Sequence, residues 1–280
     1  MKRITPIKYY GGKQQMTPHI LPLIKQDKST CFVSLFTGGA ALEYAKPPHK
    51  VEIWNDLLNG VVVFWQTLQT PKLCRMVKRK LRRSVYGEHN FKRYGKIYRK
   101  LKNKKILSAK ERINFSASMF WMCNCSFAGG IGKGFAFGNT RNHASAYHNK
   151  VKALVVAEAV RRLENVLVMQ RDALDIFKMF NKPDTLFYAD PPYFNSDMGH
   201  YGGYTKMDFA RLLVNLSGCK GKFILSSYDS PILNQAAIKY GWQIQKIEKQ
   251  LAVLAKYNTK RTKVECITTN FDPFLQETLF

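Results

Sequence analysis

The chain has 280 residues and a mass of 32.2 kDa, enough for one large domain or one domain carrying an insertion. At 45% apolar and 23% charged it has an ordinary globular composition, which excludes wholesale disorder, and no stretch approaches the ~18 apolar residues of a membrane span. Its charge is not ordinary: 45 Lys and Arg against 19 Asp and Glu leave +26, a self-repulsion that is retained where the partner is a polyanion.

No apolar segment follows Lys2 and Arg3, so no secretory leader is expected. Cys31, Cys74, Cys123, Cys125, Cys219 and Cys266 are scattered and lack the paired spacing of zinc ligands. They read as buried, reduced thiols of a cytoplasmic protein.

In chain order, residues 31–36 form a short apolar run bounded by a glycine pair. Residues 51–54 form a second run that ends in Asn55-Asp56, and 57–68 continue with helical character. Residues 72–112 then hold 17 Lys and Arg against Glu88 and Glu111, a net of +15. Leu73, Met76, Val77, Leu81, Tyr94, Ile97, Tyr98 and Leu101 recur there at steps of three and four. The block therefore reads as helices with one apolar stripe and an almost wholly basic polar face. Residues 124–138 carry five glycines among alternating aromatics, which points to a hairpin or projecting loop.

Residues 186–189 run into Asp190-Pro191-Pro192-Tyr193, and 222–226 form a fourth apolar run. Residues 242–255 and 263–270 alternate apolar and polar around Asn258-Thr259, the pattern of a hairpin. Strands alternating with helices predict a largely parallel α/β sheet with a late antiparallel hairpin. The basic block reads as an insertion: 1–65 and 150–280 build the sheet domain, and 66–149 the inserted, mainly helical one.

Phe36-Thr37-Gly38-Gly39-Ala40 ends a strand at glycines, which lets backbone N–H groups approach a ligand at the sheet's carboxyl edge. Asp56 ends the next strand, where a carboxylate accepts hydrogen bonds from ribose hydroxyls or caps a helix. Together they point to a nucleoside-bearing cofactor. In Asp190-Pro191-Pro192-Tyr193 a carboxylate and a proline carbonyl converge beside an aromatic face. That set suits a planar ring bearing an exocyclic amino group.

These motifs resemble the Dam-like (D12, alpha-class) N6-adenine DNA methyltransferase family. Lys8-Tyr9-Tyr10-Gly11-Gly12-Lys13 is similar to its first motif, Phe36 to Ala40 to its cofactor motif, and Asp190 to Tyr193 to its DPPY motif. The segments 223–228 and 264–270 resemble its later sheet motifs. Ala40 stands where that family usually has Gly, a change expected to be tolerated if the local backbone angle is helical.

The resemblance implies a Rossmann-like S-adenosylmethionine-dependent methyltransferase fold with an inserted target-recognition domain. It also implies S-adenosylmethionine as methyl donor, and double-stranded DNA as partner in adenine-specific methylation of the restriction-modification kind. Tyr10 and Lys13 would flank the methionine end of the cofactor, Phe36 with Gly38 and Gly39 its centre, and Asp56 its ribose. Asp172 would contact the cofactor's adenine, or simply start a helix. Asp190, Pro191, Pro192 and Tyr193 would hold the target adenine. The Gly-rich segment around Lys133 would enter the DNA.

Lys133 and Arg141 carry donors suited to guanine edges, and Asn139 and Asn142 groups suited to adenine. A sulfonium donor needs no metal, so none is expected, nor any membrane association, and the chain is read as a monomer or weak dimer. Related readings stay open: a methyltransferase acting on RNA, on cytosine N4 or on a protein glutamine amide, or a non-catalytic DNA-binding relative.

Overall fold

The apolar runs become strands of one seven-stranded sheet. The structure, a computed structural model, describes residues 5–9, 11–139, 142–194, 203–250 and 262–272. Strands β1 (Cys31–Ser34), β2 (Val51–Asn55), β3 (Val166–Met169), β4 (Thr185–Ala189) and β5 (Lys222–Tyr228) run parallel, while β6 (Gln243–Gln250) and β7 (Thr262–Thr269) pair antiparallel. The order is β3-β2-β1-β4-β5-β7-β6, with β7 antiparallel to β5. The Asn258-Thr259 turn expected between β6 and β7 lies outside the described residues. Strand β3 was not anticipated from the sequence.

The central strands are mostly apolar and buried because the sheet is covered on both faces. Successive residues alternate sides. Val33, Leu35, Phe187, Ala189, Phe223 and Leu225 pack beneath α9 (Ala173–Phe180), α10 (Lys206–Ser217) and α11 (Pro231–Tyr240). Phe32, Leu186, Tyr188 and Ile224 pack on the opposite face, against α1 (Thr17–Gln26) and α2 (Ala41–Ala45). A buried ion cluster steadies the amino end of β2: Glu52 accepts from Lys46 Nζ and Arg162 Nη2, each at 2.8 Å, and from Trp54 Nε1 at 3.1 Å.

Between β2 and β3 lie α3 (Asn59–Gln69), α4 (Pro71–Arg82), α5 (Glu88–Leu101), α6 (Ala109–Asn124), α7 (His143–Ala153) and α8 (Val156–Leu163). The apolar stripe of the basic block is buried: Val77, Leu81, Tyr94, Tyr98 and Leu101 face inward, and Arg75, Arg79, Arg82, Lys96, Arg99 and Lys100 are exposed. These helices wrap α6. It opens with a Ser108/Glu111 capping box and buries Phe115, Met119, Phe120 and Trp121 completely. Their core is continuous with Phe64, Trp65 and Leu68 of α3 and with Trp54, Val166 and Val168 of the sheet. After α6 the Gly-rich segment forms a loop closed by an isolated Ser126–Phe135 bridge and by Phe127 N–H donating to Gly134 O at 2.9 Å.

Candidate active site

The strand order reverses between β1 and β4, and open α/β sheets bind ligands outside the carboxyl ends of strands at such a point. Both singled-out motifs leave the sheet there, the 36–40 turn after β1 and the 190–193 tetrad after β4.

The 36–40 turn is tied from below. Thr37 N–H donates to Asn55 O at 2.8 Å, Gly38 N–H to the Asp56 carboxylate at 2.8 Å, and the buried Trp65 indole N–H to Gly38 O at 3.0 Å. Tyr9 lies across the glycines. A Cβ on Gly39 would meet Tyr9 Cβ at 2.5 Å, and one on Gly38, whose φ is +48°, would meet the Tyr9 ring at 2.9 Å. Glycine here serves close packing as well as backbone freedom. Phe36 is half-buried and meets Tyr204 edge-on at 6.4 Å.

The methyl of Ala40 was expected to be tolerated if its backbone angle were helical, and the helical angle found there is of the left hand. Its φ of 51° and ψ of 38° are left-handed, the one positive φ outside glycine among the described residues. The chain must reverse sharply from Gly39 into α2, and Ala40 N–H closes that turn on Thr37 O at 2.8 Å. Such a conformation costs about 1–2 kcal/mol for an L-residue. Burial of the Ala40 methyl, 1% exposed, offsets part of this.

Asp56 accepts from Leu58 N–H as well as Gly38 N–H, each at 2.8 Å. Burial pushes its carboxyl up from 3.8 to about 6 against the pull of those amides, so it is mostly ionised at neutral pH. Sequence reading passed over Asn55, which ties three strand ends together: its Nδ2 donates to Leu35 O at 3.1 Å and Arg171 O at 3.0 Å, and its Oδ1 accepts from Arg171 N–H at 3.0 Å. The signal was a polar residue closing an apolar strand. Asp172 is exposed and caps α9, accepting from Leu174 N–H at 2.8 Å.

At the tetrad, Lys13 Nζ reaches Asp190 Oδ1 at 2.9 Å, donates to Tyr193 Oη and stands 4.2 Å from the Tyr193 ring centre. Tyr193 packs on Tyr228 with ring centres 4.0 Å apart. Burial, with the Asp190 and Glu265 carboxyls, holds the Tyr193 phenol well above its ordinary range, so it is a neutral aromatic surface and not a base. Pro191 is buried and Pro192 half-buried.

Glu43 of α2, also passed over, is 2% exposed and accepts from Ser34 Oγ at 2.6 Å. Burial pushes it up from 4.5 to about 7. No group of three or more His, Cys, Asp or Glu is arranged to hold a metal among the described residues.

Lys133 and Asn139 are exposed on the Gly-rich loop beside Phe137, which is 82% exposed. Asn142 caps α7 through Ser145 N–H at 2.9 Å. Tyr10 and Arg141 lie outside the described residues.

A parallel sheet that reverses at β1/β4, ends in an antiparallel β7–β6 pair and carries these two motifs at its carboxyl edge is the Rossmann-like fold of S-adenosylmethionine-dependent methyltransferases. Residues 9–247 match the D12 class N6 adenine-specific DNA methyltransferase family, and the chain belongs to it. A curated relative, the type II methyltransferase M1.LlaDCHI of Lactococcus lactis subsp. cremoris, is 24% identical over 282 residues, covering 94% of each chain. Among solved structures, precorrin-6y C5,15-methyltransferase of Geobacter metallireducens aligns with 55% of this chain and 73% of its own. Its TM-score is 0.25 and its identity 15%. Membership of that family makes the chain a DNA methyltransferase. No helix among the described residues is long and apolar enough to cross a membrane.

Proposed function

We propose that the protein transfers a methyl group from S-adenosylmethionine to the N6 amino group of an adenine flipped out of duplex DNA. The observation that carries this reading is the Asp190-Pro191-Pro192-Tyr193 tetrad facing the 36–40 turn across the β1/β4 reversal.

The residues at that edge fit the donor. Thr37 Oγ1 is buried without a hydrogen-bond partner in the turn that would line it, and Asp56 offers a carboxylate at the end of β2, where ribose hydroxyls bind in such sheets. When bound, S-adenosylmethionine supplies a methyl carbon already activated by its sulfonium.

The protein's own task is the acceptor. An adenine amino lone pair is delocalised into the ring and is a poor nucleophile. The Asp190 carboxylate and the Pro191 carbonyl accept the two N6 hydrogens and stabilise the positive charge that grows on nitrogen during transfer. Tyr193 stacks on the base, replacing part of the few kcal/mol lost on unstacking it from the duplex. The exposed cations of α4 and α5 supply the phosphate contacts, and 66–149 is the proposed recognition domain, with Lys133, Asn139, Arg141 and Asn142 at or beside its Gly-rich loop. The relative's type II designation supports a role in restriction-modification.

Asp190→Ala tests the assignment. Methyl transfer from labelled donor to duplex DNA should fall by at least about 10²–10³-fold, with duplex affinity retained. Near-normal turnover would refute it. Nucleoside analysis of the product distinguishes N6-methyladenine from N4-methylcytosine and from RNA modification.

A further inference from the structure

Lys13 is only 6% exposed, unusual for a lysine, and the fold fixes its backbone: Lys13 O accepts from Met16 N–H and Thr17 Oγ1, each at 2.9 Å, where the chain turns into α1. Its ammonium therefore points at the end of β4 by construction, onto Asp190 Oδ1 at 2.9 Å and the Tyr193 hydroxyl. A buried ion pair is weak evidence for stability, since a well-packed apolar residue often serves as well. The pair makes sense through what surrounds Asp190. The charges of Asp190, Glu43 and Glu265 each act on Tyr188 of β4, and that of Asp190 acts on Glu43. Only the ionised carboxyl is purely an acceptor; protonated, it would present a donor where an acceptor is required.

We propose that Lys13 is a positioning residue for methyl transfer: its ammonium fixes the rotation of the Asp190 carboxyl, keeps it a carboxylate, and ties the Tyr193 ring beside it. The acceptor set then stands assembled before the target base arrives. The Lys13 contact takes up only part of a carboxylate's about four lone-pair directions. This inference rests on the role proposed above for Asp190 and goes beyond it by naming what keeps that residue competent.

The test compares wild type with Lys13→Gln, Lys13→Met and Lys13→Arg over pH 5.5–9, following single-turnover methyl transfer and, by carbon-13 NMR, the titration of the Asp190 carboxyl assigned with Asp190→Asn. Loss of the cation should move the acidic limb of the rate profile and the Asp190 titration upward together, by about one pH unit or more. Lys13→Arg should keep both near wild type. Thermal melts establish which neutral variant is folded; Lys13→Met keeps the apolar stem if Lys13→Gln does not hold. A rate lowered by the same factor at every pH, with the Asp190 titration unmoved, would overturn the proposal. A wild type that transfers no methyl group to DNA would refute the proposed function, and the NMR titration would still decide the role of Lys13.

Discussion

Glu43 and Glu52 are buried carboxyls on the same side of the sheet with opposite environments. Glu52 meets Lys46 and Arg162, and although burial opposes it, those cations hold its carboxyl below the usual range. Glu43 is 2% exposed and has a hydroxyl as its side-chain partner in Ser34, and burial raises it to about 7. A carboxyl with a folded-state pKa above its unfolded value binds more protons in the native state, so its contribution to stability is present at low pH and lost as pH rises through 7.

At about 1.4 kcal/mol per pH unit, ionising Glu43 costs the native state about 3 kcal/mol in all, of which about 2.5 falls between pH 5 and 8.5. Glu43→Gln keeps an acceptor for Ser34 and does not titrate. Urea unfolding at pH 5, 7 and 8.5 should therefore find the variant gaining about 2–3 kcal/mol on wild type across that range. Other titrating groups, Asp56 included, are common to both proteins and cancel. A stability difference that stays constant to within about 0.5 kcal/mol would refute the reasoning.

Gly39→Ala should destabilise by about 1–3 kcal/mol through overpacking on Tyr9, and combining it with Tyr9→Ala should recover at least about 1 kcal/mol of the sum in a double-mutant cycle read by thermal or urea unfolding. Duplex affinity should fall about 10³–10⁵-fold between 50 and 200 mM salt if six to ten of the block's cations neutralise phosphates; flat binding would assign the charge another purpose. Asn142→Ala should cost about 1 kcal/mol through loss of the α7 cap, whereas Asn142→Ser, which keeps a cap, should stay within about 0.5 kcal/mol of wild type in thermal melts.

The central strands were legible because burial on both faces writes them as short, mostly apolar runs, and the basic helices because one stripe repeats at helical spacing. Strand β3 escaped because it is a four-residue edge strand whose Leu167 is 53% exposed, too short and too half-covered to stand out. Helix α6 escaped for the opposite reason: buried on every side from Phe115 to Cys123, small serines included, it carries no period to detect. At the site, Asp190, Asp56 and the glycines announced themselves as motifs. Asn55, Glu43 and Thr37 did not, since what they do depends on Arg171, Ser34 and the fold of the turn, partners that no local spacing reveals. The handedness at Ala40 was likewise set by the reversal into α2 and not by the residue itself.

The core that runs unbroken from Trp65 through α6 to Tyr94 and Tyr147 sets a limit on redesign. Cutting out the helices after α3 would strip the cover from Phe64, Trp65 and Leu68 and leave an oily wound on the half that carries the proposed site. Wholesale grafting of a relative's helices is thus a poor way to test the proposed recognition role of 66–149. Changes confined to the solvent-facing loop tip, where Lys133 and Phe137 stand clear of the interior, leave that shared packing intact.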